Sequence, residues 1–158
     1  MKKVVFFLLI LCLLSTVFAE EHKHEHGISS INVVVEKNNV SIEIDAPFDD
    51  FLGFEHKPEN NEEEQEVKKM SIKLKKANFF VLPSCKLQSV ELEKYSPSGE
   101  EHDDIEVEYS YKCSKISTME IKIFSEFPNV KKLKIQVVGK KSQKYYELEK
   151  DGVIKIND

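Results

Sequence analysis

The sequence predicts an α+β fold: a single antiparallel, β-rich domain with one main helix and a disulfide. Three observations carry this. Apolar and polar residues alternate on both sides of Asn38-Asn39, the stretch after Asn60 combines helical spacing with a charge gradient, and two cysteines bracket a pair of strand-like segments.

In chain order, MKKVVFFLLILCLLSTVFA opens with two lysines, continues in an apolar run from Val4 to Leu14, and ends with the small residues Val17 and Ala19. This is the pattern of a secretory signal cleaved after Ala19. An uncleaved anchor is the alternative, but the run falls short of the roughly 20 residues that span a bilayer. Cys12 has no small residue before it of the kind that lipid-attachment signals carry, so it leaves with the signal. The expected organisation is a signal peptide over 1–19, a histidine-rich segment over 20–27, and one β-rich domain over 28–158. Roughly 140 residues remain after cleavage, enough for one core.

Ile31, Val33 and Val35 alternate with polar neighbours, Asn38-Asn39 supplies a turn, and Val40, Ile42 and Ile44 alternate again, which predicts a hairpin with one buried face. The connector APFDDFLGFEHKP is too apolar for a solvated loop and too interrupted by Pro47, Gly53 and Pro58 for one long helix. Asn60 or Asn61 caps the helix that follows. Its first turns are acidic and its last basic, as the helix dipole favours, and Val67, Met70, Leu74 and Ala77 form its packing stripe. Strand patterns resume at Cys85–Tyr95 and over Ile105, Val107, Tyr109, Tyr111 and Cys113. MEIKIF, KLKIQVV, KYYELEK and VIKI follow, with turns at Phe127-Pro128-Asn129 and Asp151-Gly152.

In an exported chain the even pair Cys85 and Cys113 is most simply a disulfide, worth about 3.6 kcal/mol by loop entropy. Thiolate metal ligation is the alternative, without a CxxC knuckle to recommend it. The net charge of −5 becomes more negative once Lys2 and Lys3 are lost, which disfavours nucleic acid as partner and suits a cation. No G-x-S-x-G and no glycine-rich phosphate loop is present, and in a chain that is 32% charged, paired carboxylates say nothing. An enzyme is therefore not expected.

The histidines carry more. His22, His24 and His26 alternate in EEHKHEHG, so an extended chain points all three rings one way. Imidazole with carboxylate is a zinc ligand set, and Glu20, Glu21 and Glu25 lie beside them; a purely compositional histidine-rich tail is the competing reading. His56 ends the apolar connector. His102, in the acidic SGEEHDD, marks either a weak cation site or a solvated loop.

Together these segments resemble the ZrgA-like periplasmic zinc-binding proteins. The matching pieces are HEHG from His24, IEIDAPFDDFLGFEH from Ile42 to His56, FFVLPSCKL from Phe79, EHDDIEVEYSYKC from Glu101 to Cys113, and IFSEFPNVKKLKIQVV from Ile123 to Val138. GFEH followed by a proline, with the cysteine pair, is the most specific part. The resemblance implies periplasmic zinc binding that assists a high-affinity zinc ABC importer or its binding protein. It marks His24, His26 and His56 as metal-site residues and supports the Cys85–Cys113 bridge. Members often carry a long histidine-rich insertion where this chain has only SPSGEEHDD, so bulk zinc storage in that loop is not expected.

The expected site joins the N-terminal imidazoles to His56 and a carboxylate, Glu55 or Asp49, binding Zn²⁺ reversibly; a metal-independent β-domain that binds another envelope protein is the alternative. Separately, cleavage after Ala19 puts histidine third, so the new amine, two backbone amides and His22 can form a square-planar set for Cu²⁺ or Ni²⁺. No membrane contact is expected after cleavage.

Overall fold

The computed structural model describes residues 25–94, 96–98 and 104–157. The first hairpin forms where alternation places it. Strand β1 (Ile28–Glu36) runs antiparallel to β2 (Asn39–Pro47), with Ile31 opposite Ile44 and Val33 opposite Ile42. Lys37 turns the chain at φ 53°. The connector opens with a single helical turn, α1 (Phe48–Leu52), and α2 (Asn61–Lys76) follows. The Asn60 side chain accepts the backbone N–H groups of Glu62 and Glu63, which settles the choice of cap.

The strands β3 (Phe80–Val81), β4 (Cys85–Lys94), β5 (Asp104–Cys113) and β6 (Thr118–Ile121) come next. Then follow the turn α3 (Ile123–Glu126) and strands β7 (Lys132–Val138), β8 (Gln143–Leu148) and β9 (Gly152–Lys155). The segment MEIKIF thus divides: its first residues are strand, and its Ile123 and Phe124 begin α3.

Six strands form one sheet in the order β4-β5-β2-β1-β7-β8, and β3-β6-β9 form another. All pairs are antiparallel except β1 with β7, where Ile31 lies beside Ile135. The inward residues of both sheets join α1 and α2 in one continuous core. Tyr109 is fully buried there against Phe79 and Phe80, and Phe79 also meets Phe127. Cys85 and Cys113 are direct cross-strand partners and are disulfide-bonded, which excludes them as thiolate ligands.

Candidate metal centre

The site is built where three separate pieces of backbone meet: the start of β1, helix α1 with the residues just after it, and the loop from Phe127 to Lys131. The Phe51 and Phe127 rings, with centroids 4.5 Å apart, hold α1 against that loop. Asn129 then donates to the Asp49 carbonyl at 3.3 Å. The Gly53 N–H closes α1 on the same carbonyl at 2.8 Å, in a left-handed conformation at φ 85°. On the other side, the Gly27 carbonyl accepts the N–H groups of Lys131 and Lys132 at 2.9 and 2.8 Å. The result is an open cleft of about 290 Å³ lined by His26, Gly27, Asp49, Gly53, Asn129 and Lys131.

His26 stands at the tip of the turn before β1, closed by the Ile28 N–H donating to the Glu25 carbonyl at 2.9 Å. Its Nδ1 is 3.4 Å from Asp49 Oδ2 and 3.5 Å from Glu55 Oε1. The three side chains are part-exposed, so solvent and ions reach them. Beneath lies Asp50, 1% exposed, accepting the Gly27 N–H at 2.5 Å and the Ser29 hydroxyl at 2.7 Å. Burial pushes the Asp50 carboxyl up from its ordinary value. The hydrogen bonds from Ser29 and Gly27 oppose that shift, the neighbouring Asp49 charge adds to it, and His26 offsets part of it.

His56 is placed differently. Its ring stacks on Phe54 with centroids 5.0 Å apart, and its Nδ1 lies 3.1 Å from the Lys57 carbonyl and 3.9 Å from Glu63 Oε2. A carbonyl only accepts, so the Nδ1 hydrogen makes this contact and Nε2 is left out of it. The structure therefore brings His26, Asp49 and Glu55 together and sets His56 beside the start of α2. His22, His24 and His102 lie outside the described residues, as do the signal segment and Glu20. Among the described residues no three or more His, Cys, Asp or Glu side chains are already gathered as a metal cage. No described helix is long and apolar enough to cross a membrane. Asp50 is the residue that reading the sequence missed, because its partners are more than twenty positions away in the chain.

Residues 23–154 match the model of the ZrgA family of zinc uptake proteins. The chain belongs to that family. The match spans the cleft, both cysteines and all but the last strand residue, and it bears out the resemblance seen in the sequence. Membership gives the protein a role in zinc uptake. No curated protein matches the chain.

Proposed function

We propose that this zinc uptake protein is a periplasmic, non-enzymatic zinc carrier. It holds Zn²⁺ as cargo at His26, Asp49 and Glu55 and passes it toward a high-affinity ABC importer or its binding protein. The observation that carries this is the placement of one imidazole nitrogen 3.4 and 3.5 Å from two carboxylate oxygens. Nitrogen and oxygen donors bonded to tetrahedral zinc at about 2.0–2.2 Å stand about 3.3–3.5 Å from one another. An ion bound there would take the place of any proton on Nδ1 and draw the two carboxylates in around it, neutralising both.

His24, two positions before His26, is the candidate fourth ligand, and His56 lies one residue from Glu55. The weakly enclosed cleft suits release as well as capture, and the chain has neither a nucleophile motif nor a phosphate loop that would turn the ion to catalysis.

Calorimetry on chelator-treated mature protein tests the reading. One Zn²⁺ should bind at micromolar affinity or tighter, His26→Ala should weaken it at least tenfold, and binding should fall below about pH 6 as protons compete for imidazole nitrogen. If wild type takes up no zinc in this range, the metal-independent envelope domain is what remains.

A further inference from the structure

We infer that Asp50 is the positioning residue of the metal site, a buried carboxylate whose bonds to Gly27 and Ser29 set the distance between His26 and Asp49. The inference rests on the zinc reading above. Its geometry is specific: His26 immediately precedes Gly27 and Asp49 immediately precedes Asp50, so the 2.5 Å bond from Gly27 N–H to Asp50 Oδ1 ties together the backbone neighbours of two ligands. The second Asp50 oxygen is occupied by Ser29 Oγ at 2.7 Å, which stops the carboxylate rotating away.

The Gly27 peptide is held from the opposite side as well, through its carbonyl and the Lys131 and Lys132 N–H groups. Gly27 sits at φ 84°, and a Cβ there would lie 3.1 Å from Lys131 Cγ, so only glycine lets the chain lie this close to the loop.

A carboxylate buried for stability alone is a poor choice, since desolvating the charge offsets much of what its bonds return and an apolar residue of similar size does as well or better. Asp50 makes sense where its product is geometry.

The test compares zinc affinity and thermal unfolding in Asp50→Ala, Asp50→Asn, Ser29→Ala and Leu74→Ala, with His26→Ala as the ligand control. Asp50→Ala should weaken zinc binding at least tenfold. Asp50→Asn should recover much of the loss, since its carbonyl oxygen accepts the Gly27 N–H and its amide can donate to Ser29. Leu74→Ala, in the core and not among the residues that line the cleft, should lower the unfolding temperature with affinity unchanged. A purely structural Asp50 would instead make affinity follow unfolding temperature across the set. Ser29→Ala removes only one of the two bonds; a several-fold loss there supports the inference should Asp50→Ala not fold. The inference is overturned if Asp50→Ala or Ser29→Ala binds zinc as wild type does while His26→Ala does not. If His26→Ala also binds normally, the zinc reading of this cleft has failed and this inference with it.

Discussion

Two tyrosines show how sharply the interior of this protein constrains single residues. Tyr109 and Tyr111 are buried on β5, and among the described residues neither hydroxyl has a hydrogen-bond partner. Burial pushes the Tyr111 phenol up from 10.0 to about 12, and Tyr109 is pushed further by burial and by Tyr111 beside it. The folded state thus holds both protons where the unfolded chain releases them. Stability from this source is complete below pH 10 and is lost as pH rises from 10 through about 12. Base titration followed by phenolate absorbance and circular dichroism should show these two ionisations coinciding with unfolding; ionisation of both with the fold intact would contradict the packing described. At the same scale, the histidines and carboxylates of the cleft were legible as residue types. Asp49 was named as a ligand candidate, while Asp50 next to it had no assigned role, because only its long-range bonds to Gly27 and Ser29 show that it faces the interior.

Among the elements, β1, β2 and β5 were readable because each alternates strictly and buries one face, and α2 because its cap, dipole and stripe agree. Partners beyond the first hairpin were not readable. KLKIQVV announces a strand, but nothing local states that it lies parallel to β1, since that register comes from packing across the whole sheet. The solvent-facing side of the sheet carries a consequence of the register: Glu91, Glu108 and Glu43 stand directly opposite one another on β4, β5 and β2. Ser41 bonds Glu108 and Asn32 bonds Glu43, which relieves part of the repulsion. Like charges in direct opposition destabilise a sheet, so Glu91→Lys should raise stability by about 0.2–1 kcal/mol in denaturant unfolding. A loss of stability would mean that the edge strand is not paired in this register.

For the molecule as a whole, the disulfide and the cleft do separate jobs. The Cys85–Cys113 bridge closes a loop of 28 residues and fastens the edge strand β4 to the sheet. Replacing both cysteines by alanine should cost about 3.6 kcal/mol by loop entropy, less whatever order the reduced chain retains. Zinc affinity of the still-folded variant should be unchanged, because the cleft is built from β1, α1 and the loop before β7; a parallel loss of zinc binding would show the two regions to be coupled. The central claim, that the zinc this family takes up is held between His26, Asp49 and Glu55, is tested most directly by anomalous diffraction at the zinc edge from crystals grown with one equivalent of Zn²⁺. One strong peak is expected within about 2.0–2.2 Å of a His26 nitrogen and of oxygens from Asp49 and Glu55. A peak at His56 and Glu63, or along the glutamates of the open sheet face, with none at His26, would contradict it.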